Sequence, residues 1–222
     1  MRTLYHYWLC PFSRKIRLLL AEKKLAFDLV LIKPWEPSSS FLQLNPEGLP
    51  PVLVDDDGKN ISNAYPISEF LEEAYLEPSL IGSLLTQRAE VRRLVAWFDE
   101  KFNSEVTHNL VYEKVLRRKM GQGGPDSAAI RIGNANIHDH LEYISWLCDR
   151  RNWLSGSAFS LADITAAAHL SCIDYLGDIP WDKHPGAKLW YARVKSRPSF
   201  RDILTDIVPG LAPPSHYTNL DF

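Results

Sequence analysis

The spacing of apolar residues changes near Leu76, and that change divides the chain. Before it, short apolar runs alternate with amphipathic stretches. Leu4 opens a strand, Cys10-Pro11 makes a turn, and Ile16, Leu19 and Leu20 recur at i, i+3 and i+4 as the buried face of a helix. Phe27-Asp-Leu-Val-Leu-Ile32 predicts a buried strand, and Lys33-Pro-Trp-Glu-Pro-Ser-Ser-Ser40 a loop. Phe41–Leu44 suits a short helix. Pro51–Val54, the turn Asp55–Gly58 and Lys59–Ile61 form a hairpin, and Ile67–Ala74 a helix. The resulting order, β-α-β-α-β-β-α, is thioredoxin-like.

Beyond the linker, Leu76–Ser83, the period is helical. Val91, Leu94, Val95, Phe98 and Phe102 share one face, and a break at Met120–Asp126 precedes a second long helix over Ile130–Arg150, with Ile137, Leu141, Ile144 and Leu147 or Cys148 on one side. Ser160-Leu-Ala-Asp163 is a capping box with Phe159 as its hydrophobic staple. The helix it starts is almost wholly apolar through Ala166–Leu170, which predicts the buried centre of the second half. Trp190–Ser196 and Phe200–Ile207 are short helices, the first stopped at Arg197-Pro198 and the second at Pro209-Gly210. The end, Leu211–Phe222, has no helical period and too few apolar residues for a core. It reads as a disordered or extended tail, and deleting it is expected to spare folding.

Composition narrows the function. The 222 residues carry a formal charge of −2, which favours neither nucleic acid nor an anionic membrane as partner. No apolar run approaches the roughly 20 residues that span a bilayer, and the start lacks a signal-peptide core. Three scattered cysteines suit a reducing compartment, so a cytoplasmic protein is expected. Seven tryptophans and fifteen prolines are more than a plain core requires.

Candidate chemistry begins at Cys10, which stands at a helix N-terminus, where free N–H groups and the dipole favour a thiolate. With Ser13 in place of a second cysteine, only monothiol chemistry is open to it. Ser13 serves either as a hydrogen-bond donor to that thiol or as a cap. Tyr5 and Tyr7 offer hydroxyls or pack as strand aromatics. Trp35, between Pro34 and Pro37, either tucks onto the sheet or anchors a partner from a stiffened loop. His138 and His140, at i and i+2, point apart on a helix, so no metal is expected. Arg117-Arg118-Lys119 reads as a solvated helix end. Trp97, Tyr112, Trp146 and Tyr175 are core or dimer-interface candidates. The tail's Tyr217, Leu220 and Phe222 could dock as an extended peptide does.

Four landmarks together resemble the glutathione-transferase superfamily: Cys10-Pro-Phe-Ser13, Asn45-Pro-Glu-Gly48 with the following Pro51-Val-Leu53, Phe159-Ser-Leu-Ala-Asp163, and Arg197-Pro-Ser199. The resemblance implies an α+β protein. It has a thioredoxin-like domain over residues 1–76, a linker at 77–84, an all-helical domain over 85–208 and a tail at 209–222. It also implies a homodimer, with a glutathione site at the first helix and an open acceptor site beside it.

At that site the sequence departs from the family. Pro51 matches the family's cis-proline, whose preceding residue gives its N–H and C=O to glutathione. Here that residue is Pro50, which has no N–H. The family's Glu-Ser pair at the next helix, which holds the γ-glutamyl end, is matched by Asn63 and Ala64. A charge-assisted hydrogen bond contributes roughly 1.5–3 kcal/mol and a neutral one about 1. The combined loss predicts about a thousandfold or more in affinity at about 1.4 kcal/mol per decade. Glutathione binding is therefore expected to be weak or absent, and no cofactor is expected.

Within the superfamily, the degraded site and the aromatic tail resemble the transferase-like cell-division proteins of alphaproteobacteria. That resemblance implies a non-catalytic dimer at the division site. It would bind and bridge filaments of the tubulin-like protein FtsZ, regulating constriction, with Trp35 facing the filament and the tail meeting a second division component. The alternative is a glutathione-dependent transferase or monothiol reductase using Cys10 and Ser13.

Overall fold

The computed structural model describes residues 1–220. A four-stranded mixed sheet in the order β2-β1-β3-β4 forms the N-terminal half. β1 (Arg2–His6) runs parallel to β2 (Phe27–Leu31) and antiparallel to β3 (Val52–Val54), which pairs antiparallel with β4 (Asn60–Ser62). Alternation along β1 sends Leu4 and His6 toward one face and Tyr5 toward the other, where it meets Phe41 of α2 (Ser39–Leu44). α1 (Pro11–Glu22) and α3 (Ala64–Ala74) cover the first face.

The helical half consists of α4 (Leu85–Ala96), its continuation in wider π-type turns over Trp97–Leu116, and then α5 (Ser127–Cys148), α6 (Leu161–Leu176), α7 (Pro185–Lys195) and the short α8 (Arg201–Leu204). In the π-type stretch, buried Phe98, Phe102, Val106 and Leu110 recur every four residues, longer than the 3.6-residue α step. α5 lies very close to it: a Cβ at Gly133 would come within 2.9 Å of the Asn109 and Leu110 side chains. α6 is buried along nearly its whole length and packs on α1, which joins the two halves.

The family landmarks have local physical roles. Ser160 and Asp163 form the reciprocal capping box at the start of α6, and Asp163 also accepts from Leu154 N (3.0 Å) and Trp190 Nε1 (2.9 Å). Arg197 grips Glu22 at the end of α1 with two hydrogen bonds of 2.7 Å. Phe159 stacks edge-on against Trp153, under the Arg197 guanidinium.

Three sequence expectations need correction. β2 is an edge strand rather than a buried one, with Leu29, Val30 and Leu31 between 37 and 42% exposed. Its apolar run resembles that of an interior strand, but only β1 pairs with it. α3 starts three residues before Ile67, because Asn63 caps it by accepting from Tyr65 N. The C-terminal segment is packed. Val208 and Leu211 form an isolated bridge, Ser215–Tyr217 make a helical turn, and Tyr217 is fully buried.

Candidate functional site

The loop before β3 and the first turn of α1 meet where the sequence placed its candidate chemistry. Pro50–Pro51 is a cis bond. The Pro50 carbonyl is directed at Cys10, whose Sγ lies 3.8 Å away as donor. Cys10 is the N-cap of α1, and its sulfur accepts from Ser13 N at 3.4 Å. Ser13 is completely buried, and its hydroxyl accepts from Tyr7 N (3.2 Å), pinning β1 to α1. It therefore ties β1 to α1, while its side chain also hydrogen-bonds the Cys10 thiol and pulls it partway down.

The electrostatics of Cys10 reverse the expectation from its helix position. Burial pushes the thiol up, and the hydrogen bonds from Ser13 and Phe12 and the charge of Arg14 offset only part of this. A capping thiol above its ordinary value is protonated at neutral pH, the opposite of an activated nucleophile.

An apolar cavity of about 270 Å³ opens in front of Cys10, walled by Tyr7, Phe12, Pro34, Pro50, Val111 and Leu116, among others. His108 and Tyr112 stack along its side, ring centroids 4.6 Å apart. The Tyr7 hydroxyl is buried without a hydrogen-bond partner among the described residues, and desolvation pushes it up to about 12. Tyr5 lies on the opposite face of the sheet and takes no part.

A second cleft of about 330 Å³ lies between α1, α3 and α4, and holds Asn63 and Ala64. The Asn63 side chain is committed to capping α3, and its backbone N–H to Pro51 O (3.1 Å). Ala64 presents a buried methyl group. Lys15, deeply buried, pairs with Asp99 at 2.6 Å. Burial pushes the Asp99 carboxyl up, but Lys15 and His169 outweigh it and hold the group below its ordinary value. His169 in turn meets the Thr107 hydroxyl at 2.9 Å. This chain of buried polar groups had no signature in the sequence, because Lys15 reads there as the solvent side of an amphipathic helix.

Trp35 is half-buried. Its ring meets Tyr7 edge-on with centroids 5.6 Å apart, and the Lys119 ammonium sits 4.5 Å from the ring centre. Tyr217, expected to reach a partner, is instead a core residue. Its ring packs edge-on against Tyr175 at 5.0 Å, its hydroxyl donates to Ile203 O at 3.1 Å, and Arg14 and Lys195 both lie about 6 Å from its centre. The segment before it is held by Asp206, which takes two hydrogen bonds from Arg17, at 2.7 and 2.9 Å. Leu220 is exposed, and Phe222 lies outside the described residues. His138 Nδ1 lies 2.8 Å from His184 Nε2, and His140 bonds Glu105. No group of three or more His, Cys, Asp or Glu among the described residues is placed to hold a metal.

Measured against the family pattern, three positions of this site differ. The peptide donor is missing at Pro50, the Asn63 amide oxygen is used as a cap, and Ala64 has no hydroxyl. Residues 9–74 match the family model of the glutathione S-transferase N-terminal domain, and residues 135–198 that of the C-terminal domain. The FtsZ-localized protein A of Caulobacter vibrioides is 49% identical over 224 residues, covering 100% of this chain and 98% of that protein. The solved structure of FzlA from C. crescentus superposes with a TM-score of 0.95 at 49% identity, covering 100% of this chain and 99% of that one. A crystal structure of a glutathione S-transferase from Rhodospirillum rubrum F11 superposes with a TM-score of 0.97 at 58% identity, over 100% of both chains. No helix among the described residues is long and apolar enough to cross a membrane.

Proposed function

The chain belongs to the glutathione S-transferase family, and from that premise we propose that it is a non-catalytic, dimeric binding protein that associates with FtsZ filaments at the division site. The full-length likeness to FtsZ-localized protein A carries the reading. The altered site supports it, since Pro50, Asn63 and Ala64 withdraw the family's contacts to glutathione and burial pushes the Cys10 thiol up rather than down. In this reading the fold is kept as a scaffold, no cofactor is needed, and glutathione binds weakly or not at all.

An exposed aromatic ladder supports the dimer. Trp97 packs on Tyr143 at 4.6 Å and Tyr143 stacks on Trp146 at 6.1 Å, with Trp146 48% exposed and Lys101 and Arg150 over the two outer rings. Such a patch suits an isologous contact with a second copy. A two-fold dimer presents its filament-binding face twice, so it can bridge two filaments and multiply a weak contact by avidity. The face we assign to the filament is the Trp35 loop. A contact to a second division component falls to the end of the chain, where Leu220 is the accessible apolar residue among those described.

The test is co-sedimentation with polymerised FtsZ, alongside light scattering for oligomeric state. Wild type pelleting with polymer as a dimer, and Trp35→Ala remaining in the supernatant at the same concentration, is the expected result. A wild-type protein that stays soluble beside FtsZ polymer, while giving saturable heat with millimolar glutathione, would return the chain to the enzyme class.

A further inference from the structure

The basic run Arg117-Arg118-Lys119 divides into two parts with different uses. Arg117 turns inward, pairing with Glu113 at 3.1 Å and donating to Gln122 O at 3.2 Å, which fixes the loop after the π-type helix. Arg118 and Lys119 are exposed, and among the described residues neither has a carboxylate in ion-pair range. Lys119 lies over Trp35. On the loop itself Lys33 is exposed and reaches only Glu36, at 3.7 Å. Lys119 therefore covers one indole face, Arg118 precedes it directly in the chain and Lys33 stands two residues before the ring, while the loop's single carboxylate already faces Lys33.

Apolar side chains are exposed on the segments that follow the loop and on the rim of the cavity its Pro34 lines. Pro37 and Leu42 both lie within 3.3 Å of the Cβ position of Gly48, and Leu42 and Leu49 are exposed. Pro34, Leu49 and Leu116 rim the cavity in front of Cys10. The exposed Met120 follows Lys119 directly in the chain. The patch spans both halves of the molecule, and prolines stiffen its loop, which lowers the ordering cost of binding.

We propose that this patch is a docking surface for an acidic protein segment, which lays an apolar side chain against Trp35 and sets its carboxylates on Arg118, Lys119 and Lys33. The inference deepens the filament-binding reading and rests on it for the partner's identity. The chemistry of the segment comes from the charge around the ring. In the free protein Lys119 occupies the indole face. An incoming carboxylate that pairs with Lys119 also frees that face for an apolar contact.

Two fluorescein-labelled peptides test the charge directly by anisotropy, Asp-Leu-Asp-Phe-Glu and its counterpart Lys-Leu-Lys-Phe-Lys. The acidic peptide is expected to bind the full-length protein at least tenfold more tightly, with affinity that falls as salt rises. The double variant Arg118→Glu/Lys119→Glu should abolish that preference, whereas Arg131→Glu, on the exposed side of α5, should not. Circular dichroism melts confirm that both variants fold. Equal binding of the two peptides, or an acidic preference that survives the double charge reversal, overturns the proposal. Acidic-peptide binding without FtsZ pelleting would sink the filament reading and leave the docking chemistry standing. FtsZ pelleting that is indifferent to the double reversal would do the opposite.

Discussion

Trp35 and Tyr217 are both aromatic residues in proline-flanked segments outside the long elements, and they end in opposite environments. Trp35 has Tyr7 on one edge and a single ammonium on its face. Tyr217 has no exposed surface, a bonded hydroxyl, and cations from both halves of the molecule beside its ring. Prolines and polar neighbours show that a segment is irregular. They do not show whether the rest of the fold has left a hole for it. The C-terminal segment fills such a hole, and the Trp35 loop lies across the mouth of one.

The comparison predicts unequal costs of mutation. Tyr217→Ala should lose about 3–5 kcal/mol of stability, the range for removing a large buried ring, read as a lowered urea midpoint. Deleting residues 211–222 should cost at least as much, reversing the expectation that the tail is dispensable. If either variant melts with wild type, the C-terminal segment is not part of the core. Asp206→Asn comes next. It removes the charge that faces Arg17 and Arg14 while both guanidiniums stay buried, and should cost about 3 kcal/mol. A loss below about 1 kcal/mol would mean that the pair is solvated in solution.

Acid should weaken the packed region before the Trp35 loop. His6 is buried beside Arg17 and Arg14; desolvation first, and then those two charges, hold it down to about 3. In the unfolded chain it titrates near 6.5, so between those values the unfolded state binds the extra proton and stability falls as pH falls. Going from pH 7.5 to 5.5 should cost about 1.4 kcal/mol through His6. His140, His169 and His184, all held down chiefly by burial, act in the same direction. His6→Gln should flatten part of the slope in pH-dependent melts, and an unchanged slope would remove His6 from the account. Trp35→Ala should have the smallest effect on stability, about 1 kcal/mol or less from a half-buried ring, together with a large loss of partner binding. A large drop in melting temperature would instead make Trp35 a structural plug.

Much of the candidate site was legible before the fold was known. Cys10 and Pro50 lie far apart in sequence yet meet because the β-α-β order brings the α1 N-terminus against the loop before β3. Asn63 and Ala64 stand together at the start of α3 as the family landmarks imply. The buried charges were not legible. On α1, Ile16, Leu19 and Leu20 mark an apolar stripe, and Arg14, Lys15 and Arg17 look like the wet side. All three are buried, because α1 is enclosed by the sheet, α3 and α6, and their charges are met by Asp206 and Asp99 from the other half of the chain. A single-helix pattern carries no record of a carboxylate that arrives from so far along the chain.

By itself the sequence determined the order of elements, the capping box of α6, the missing N–H at Pro50, and the amide and methyl that stand at Asn63 and Ala64. Each of these depends on local backbone chemistry: a missing N–H, a hydroxyl or amide within one helical turn, the period of apolar residues. Tertiary structure alone decided that burial pushes the Cys10 thiol up, that Tyr217 is core, that β2 is an edge, and that Lys119 lies over Trp35. Each of these depends on desolvation or on a contact between residues distant in the chain, and burial is a property of the whole assembly of elements rather than of any one of them.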